Sequence, residues 1–203
     1  MKKVAINGFG RIGRKVLYNY LTDTPEKIEI VAVNDPNPTE ELAYLMKYDS
    51  VHGRAPFPVE AGADRLRFGS HEVRVLHERD PARLPWKDLG VEMVLECTGR
   101  FTERARSAKH LEAGASRVVI SAPSPDADQT VVLGVNEGEY DPAKHTVISN
   151  ASCTTNALAP AAKVLNDTFG VERLMATAIH AYTATQALVD RATKKPRRGR
   201  AAA

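Results

Sequence analysis

Val4-Ala5-Ile6 is a short apolar run that ends in Asn7-Gly8-Phe9-Gly10, and from Arg11 the apolar residues Ile12, Val16, Leu17, Tyr20 and Leu21 recur at helical spacing. That pattern predicts a buried strand, a glycine turn and a helix that ends at Thr22-Asp23-Thr24-Pro25. Ile28-Glu29-Ile30-Val31-Ala32-Val33, rich in β-branched residues, predicts a second strand. Asn34-Asp35-Pro36-Asn37-Pro38 breaks it, and Thr39 is the expected N-cap of a helix carrying Leu42, Leu45 and Met46. Strand, helix, strand, helix is the order of a parallel sheet covered on both faces.

Further along, Arg65-Leu66-Arg67-Phe68 and Glu72-Val73-Arg74-Val75 alternate about Gly69-Ser70 as a hairpin does. Parallel character returns with a strand at Met93-Val94-Leu95-Glu96-Cys97, a helix over Glu103–Leu111 and a strand at Arg117-Val118-Val119-Ile120. Val131–Val135 and Thr146–Ser149 read as two more short strands. A helix is expected from near Ser152 to about Phe169, with Leu158, Val164 and Leu165 apolar and Pro160 early in it. Leu174–Thr183 reads as a longer strand, and the Thr-, Ala- and Lys/Arg-rich sequence after Tyr182 as a loop. There is no internal repeat. Ala201-Ala202-Ala203 carries no stop signal, which predicts a chain that ends mid-fold.

Composition narrows the class. The 203 residues suffice for one large domain or one and a half small ones. Gly 13 and Pro 12 exclude collagen-like and low-complexity chains. No uncharged apolar run approaches the ~20 residues of a membrane helix. Met1-Lys2-Lys3-Val4-Ala5-Ile6-Asn7 is too briefly apolar for a secretory signal. Two cysteines cannot make a disulfide framework, so a reducing, cytoplasmic location is expected. The net charge of +3 conceals a division: Arg191, Lys194, Lys195, Arg197, Arg198 and Arg200 lie beyond the last acidic residue, Asp190, and residues 1–190 are net acidic. Nucleic-acid binding is not indicated, because its basic residues usually spread over a folded face with aromatics between them. The terminal cluster reads equally as a solvated loop, an anion site or an adventitious nucleic-acid patch.

Two constellations carry chemistry. Gly8-x-Gly10-x-x-Gly13 follows a strand and opens a helix, the context of a dinucleotide fingerprint. Its first glycine permits the turn, its second lets the backbone approach a pyrophosphate, and its third lets helix and strand pack closely. The helix start points N–H groups at phosphate. Asp35, at the end of the next strand, is placed to hold ribose hydroxyls and to repel a 2′-phosphate, which favours NAD over NADP. In Ser149-Asn150-Ala151-Ser152-Cys153-Thr154-Thr155-Asn156, a thiol sits at a helix start, where partial positive charge favours the thiolate, the form that attacks carbonyl carbon. Ser152 and Thr154 offer hydroxyls and N–H groups to an anion. Cys97, ending an apolar strand, reads as inert core. His180 suits proton transfer, with a structural histidine as the alternative. His52, His71, His77, His110 and His145 have no partner pattern and read as surface residues. No Cys/His spacing suggests a metal.

Together these segments resemble the phosphorylating glyceraldehyde-3-phosphate dehydrogenase family. The resemblance is carried by Ala5–Arg14, Lys47-Tyr48-Asp49-Ser50, Glu96-Cys97-Thr98-Gly99, Ser149–Asn156 and His180-Ala181-Tyr182-Thr183. It implies an α/β chain: a Rossmann-type doubly wound sheet over residues 1–150, then, over 151–203, the first, incomplete part of an α+β catalytic domain. It implies that Cys153 attacks glyceraldehyde 3-phosphate, that His180 accepts a proton, and that inorganic phosphate displaces a thioester. Arg11 and Ile12 would then meet the pyrophosphate of NAD, Asp35 the ribose, and Arg79, Thr98, Gly99 and Ser121 the rest of the cofactor. Ser152, Thr154, Thr183 and Arg198 would hold substrate or phosphate, and the protein would be a homotetramer.

The chain departs from the family pattern in four ways. Family chains extend well beyond residue 203. Ala157 stands where many members carry a second cysteine, and Thr185 where many carry an acidic residue. Arg191-Ala192-Thr193-Lys194-Lys195-Pro196 departs from the usual loop and lacks the proline that many NAD-specific members carry before the Lys/Arg residues, as do some members that accept NADP, so NADP remains a second cofactor. Two alternatives stand beside the main reading: an erythrose-4-phosphate dehydrogenase, and a non-catalytic NAD- or RNA-binding fragment.

Overall fold

In the computed structural model the first strand, β1 (Lys2–Asn7), leads through the glycine turn into α1 (Arg11–Asp23). Residues 1–23, 27–183, 186, 188, 192 and 199 are described. The chain continues through β2 (Ile28–Asn34), α2 (Thr39–Lys47) and the small ribbon of β3 (Tyr48–Asp49) and β4 (Gly53–Arg54). Then come β5 (Val59–Ala61), β6 (Arg65–Phe68), β7 (His71–Leu76), α3 (Trp86–Leu89) and β8 (Met93–Glu96). Last are α4 (Arg104–Ser107), α5 (Lys109–Glu112), β9 (Arg117–Ile120), β10 (Gln129–Thr130), β11 (Val147–Ser149) and α6 (Cys153–Phe169). The chain divides into two units, Met1–Val164 and a second that begins at Leu165.

Nine strands form one sheet in the order β10-β11-β9-β8-β1-β2-β7-β6-β5. From β10 to β7 all neighbours are parallel, and β6 and β5 add an antiparallel edge. The chain moves outward from β1 through β2 to β7, then returns to the other side of β1 with β8. This reversal makes the sheet doubly wound and puts its switch point between β1 and β8, where ligands of such sheets bind. Alternation along β1 sends Val4 and Ile6 to one face and Ala5 to the other. The first face meets Leu17 of α1 and Leu42 and Met46 of α2; the second meets Leu84, Trp86 and Val91. Burial of each large side chain contributes about 1.5–3 kcal/mol.

Several elements differ from the sequence pattern. Pro38, not Thr39, caps α2; the Thr39 hydroxyl instead reaches the Ala63 carbonyl. The single helix expected over Glu103–Leu111 is two short ones that meet at Ala108. The strand expected at Val131–Val135 forms earlier, at Gln129–Thr130, because the Asn136 side chain bonds the Val132 N–H and the Thr130 carbonyl and turns the chain there. No strand forms over Leu174–Thr183. Met175 and Ile179 stand almost fully exposed, and an apolar run becomes a strand only where another strand supplies its ladder. Thr24 and Pro25, expected to end α1, lie outside the described residues, as do Thr185 and the basic cluster from Arg191 to Arg200.

Candidate functional site

The carboxyl ends of β1, β2, β7 and β8 open into a cleft of about 350 Å³ lined by Gly8, Gly10, Asp35, Glu78, Arg79, Cys97 and Thr98, with the buried Asn7 and Asn34 at its base. Its floor is shaped by the glycines. Gly8 has φ +92°, and a Cβ there would lie 2.6 Å from the Thr98 nitrogen, so the β1 and β8 turns touch only because position 8 is bare. A Cβ at Gly13 would overlap the Gly8 carbonyl oxygen, which fixes the close contact of α1 with the strand end. A Cβ at Gly10 would meet nothing within 4 Å. The space left by the missing side chain therefore faces the cleft. Such a cradle fits a pyrophosphate, and the first turn of α1 has N–H groups with no carbonyl of their own helix to bond.

Asp35, nearly buried, accepts from the Phe9 N–H at 2.9 Å and from the backbone and side-chain N–H groups of Asn37 at 3.1 and 2.9 Å. A carboxylate has about four acceptor positions, so one remains for a hydroxyl donor. Arg79 is exposed at the rim. Gly99 follows Thr98 in a left-handed turn, and the Ser121 N–H donates to the Glu96 carbonyl beside it. Neither Arg11 nor Ile12 is among the residues that line the cleft: Arg11 pairs with Asp49 at 3.4 Å, and Ile12 is exposed.

Cys97 packs against the main core cluster, as expected, and also lines the cleft, bonded to the Ser121 hydroxyl. Burial pushes its thiol up to about 11, which keeps it protonated and inert as expected. Cys153 differs. It is exposed and is the first residue of α6. Ser152 caps that helix, its hydroxyl accepting from the Thr155 N–H at 2.9 Å. Asn156 folds back onto the carbonyls of Asn150 and Ser152, and Ala151 takes the left-handed conformation, φ 57°, that swings the chain from β11 into α6. Thr154 lies in the same first turn. His180 and Thr183 belong to the second unit, both exposed, with His180 Nδ1 2.5 Å from the Ala181 carbonyl oxygen. Arg198 lies outside the described residues.

Sequence reasoning missed the polar groups beneath the cleft. His110, read as a surface residue, is fully buried and bonds Trp86 and Glu96. His71 is half-buried and bonds the Ile30 carbonyl, whereas His77 is exposed as expected, with its ring against the Asp35 carbonyl. Available signals were Glu96 at the end of an apolar strand and Asn7 and Asn34 at two strand ends. Among the described residues no group of His, Cys, Asp and Glu side chains suits a metal ion, and no helix is long and apolar enough to cross a membrane.

Residues 2–104 match the family model for the glyceraldehyde 3-phosphate dehydrogenase NAD binding domain, and residues 152–203 the model for the C-terminal domain of the same enzyme. Glyceraldehyde-3-phosphate dehydrogenase 1 of Bacillus cereus is 52% identical over 203 residues, 100% of this chain and 60% of its own length. The Bacillus subtilis glyceraldehyde-3-phosphate dehydrogenase 1 is 55% identical over 201 residues, 99% of this chain and 59% of its own. The Geobacillus stearothermophilus glyceraldehyde-3-phosphate dehydrogenase is 54% identical over 201 residues, again 99% and 59%. The chain thus spans about 60% of the length of the curated relatives it matches. With the doubly wound sheet and its glycine cradle, these matches show that the chain belongs to the glyceraldehyde 3-phosphate dehydrogenase family and that residues 2–104 are an NAD-binding domain of that family.

Proposed function

We propose that the protein acts as a phosphorylating glyceraldehyde-3-phosphate dehydrogenase, oxidising a triose phosphate aldehyde through a thioester on Cys153. The observation that carries this reading is an exposed thiol at the capped start of α6, reached from β11, which runs parallel to the strands whose ends form the cleft. The turns after β1, β2, β8 and β11 all leave the same edge of the sheet.

The Gly8–Gly13 turn and the N–H groups of Arg11 and Ile12 would hold the cofactor pyrophosphate, Asp35 the ribose, and Arg79, Thr98, Gly99 and Ser121 the remaining wall. NAD, when bound, accepts the hydride that leaves the substrate carbon; NADP is a second cofactor of this reading. The residues do the rest. The α6 N-terminus favours the thiolate of Cys153, whose sulfur forms a C–S bond to the aldehyde carbon. His180 would take the proton lost by the thiol, give it to the oxyanion that this attack creates, and take it back as the thioester forms. A phosphate oxygen then bonds the acyl carbon, the C–S bond breaks, and the sulfur leaves as thiolate, giving an acyl phosphate. Ser152, Thr154, Thr183 and Arg198 would hold the phosphate groups. A cytoplasmic homotetramer completes the proposal.

The test is reduction of NAD by the purified protein with glyceraldehyde 3-phosphate, with and without inorganic phosphate, alongside Cys153→Ser. Phosphate-dependent turnover that the variant lacks is the expected result. Turnover with erythrose 4-phosphate but not the triose would move the assignment to that substrate, and binding of NAD without oxidation of either aldehyde would refute the catalytic reading. Native mass measurement tests the tetramer.

A further inference from the structure

Beneath the cleft lies a set of buried polar groups that the proposed chemistry does not use. Glu96, at the end of β8, is 1% exposed, and His110, on α5, is fully buried. One Glu96 oxygen accepts from both the N–H, at 2.8 Å, and the hydroxyl of Thr98. The other accepts from the Asn7 amide at 2.5 Å and lies 3.2 Å from His110 Nε2. The Trp86 indole N–H, which can only donate, points at His110 Nδ1 at 2.9 Å. Nδ1 therefore accepts and the ring hydrogen sits on Nε2, directed at Glu96. All of the carboxyl group's acceptor positions are then filled by donors.

The chain of bonds continues across the base of the cleft. The Asn7 side-chain oxygen accepts from Asn34 at 2.7 Å. Asn34 in turn donates to the Glu78 carbonyl at 2.8 Å and accepts from the Glu78 N–H at 2.9 Å, clamping the segment that carries Arg79. Thr98 stands on one wall of the cleft and Glu78–Arg79 on the other. Trp86 and His110 do not line it.

We infer that Glu96 and His110 are positioning residues for the nucleotide cleft, setting Thr98 on one wall and, through Asn7 and Asn34, Glu78–Arg79 on the other. The inference rests on the reading of this cleft as the NAD site. The imidazole fixes the Glu96 carboxyl group by one directed hydrogen bond, and the carboxyl group fixes both arms. Groups that touch no ligand thereby determine how well the cleft grips one.

Two isosteric substitutions separate the bonds of the ring. In His110→Asn the side-chain oxygen keeps the Trp86 bond and the donor to Glu96 is lost. In His110→Gln the donor to Glu96 is kept and the Trp86 bond is lost. Each loses one buried hydrogen bond, so both should melt lower by similar amounts. Only His110→Asn should weaken NAD binding, by about tenfold in calorimetric titration, the scale of one hydrogen bond to a charged group. Equal weakening in both variants, or unchanged affinity in His110→Asn, overturns the inference while leaving NAD binding by the wild type intact.

If His110→Asn does not fold, the wild type decides. Trp86 is the sole tryptophan, so its indole N–H gives one unambiguous signal in a nitrogen-15 spectrum. Addition of NAD should shift that signal along with the Gly8 and Gly10 amides; an unmoved indole beside shifted glycines overturns the inference. A wild type that shows no response at the glycines and binds no NAD refutes the functional reading itself, and this inference falls with it.

Discussion

Gly10→Ala and Gly13→Ala put the same methyl group three positions apart and should differ in their effect on stability. At position 10 the added carbon meets no atom within 4 Å and the backbone is not left-handed, so the folded state loses nothing. Alanine restricts the unfolded chain, and stability should rise by about 0.4–1 kcal/mol. At position 13 the carbon would overlap the Gly8 carbonyl oxygen and approach Ile6 Cγ2 to 3.0 Å, both parts of a buried strand end that cannot yield freely. Overpacking costs about 1–3 kcal/mol. Better helix propensity offsets about 1 kcal/mol of that. The expected net loss is about 0–2 kcal/mol, read from urea unfolding midpoints at constant slope.

Binding should separate the two in another way. Gly10→Ala fills the space proposed for the pyrophosphate and should weaken NAD at least about tenfold, one lost close contact with a charged group. It should leave adenosine, which has no pyrophosphate, within about twofold. Gly13→Ala moves α1 off the strand and should weaken NAD and lower stability together. Gly10→Ala that binds NAD as tightly as the wild type would refute the view that phosphate approaches the chain at this glycine.

Three further outcomes are expected. Asp128 is held well below the usual carboxylate range: burial opposes this, but the Arg104 guanidinium and the N–H groups of Val147 and Thr146 outweigh it. Its stabilisation is therefore complete above the unfolded carboxyl value of about 3.9 and fades as pH falls toward the lower folded value. Asp128→Asn should cost about 1.5–3 kcal/mol at pH 7. That gap from the wild type should narrow at pH 3, and an equal gap at both pH values in urea titrations would contradict the assignment. Iodoacetamide should label Cys153 and spare Cys97, whose thiol lies at about 11; peptide mass mapping after brief exposure at neutral pH reads this, and label on Cys97 in the folded protein would show the cleft wall to be open. If Asp35 holds the ribose as proposed, Asp35→Asn removes the charge that would face a 2′-phosphate and should shift the ratio of NADP to NAD affinity toward NADP by about tenfold in paired titrations, the scale of one close charge interaction.

The doubly wound half of the fold was legible because its signals are local. Val4 to Gly13 spells strand, turn and helix within ten positions, and Asp35 follows at the end of the next strand. Cys153 was legible for the same reason, since Ser152 and the helix that it caps are its neighbours in sequence. What escaped notice depends on distant partners. His110 bonds a tryptophan 24 positions and a glutamate 14 positions away, and no spacing rule announces such a set. The strand expected at Leu174–Thr183 failed for the converse reason: its composition suits a sheet, but strand structure is a property of a pair.

The arrangement also explains how segments distant in sequence supply both halves of a candidate reaction centre. In a parallel sheet every strand ends on the same edge, so any residue a few positions after a strand emerges there regardless of its distance in sequence. Gly8, Asp35, Thr98 and Cys153 follow β1, β2, β8 and β11 at such intervals, though nearly 150 positions separate the first from the last. The shared edge costs the chain buried polar groups at the strand ends, since Asn7, Asn34 and Glu96 replace apolar residues where the walls must be held apart. Their mutual hydrogen bonds offset that desolvation only when every partner is in place. A single broken member should therefore loosen the cleft before it unfolds the sheet, which is why affinity for nucleotide, rather than melting temperature, is the sensitive measure of this network.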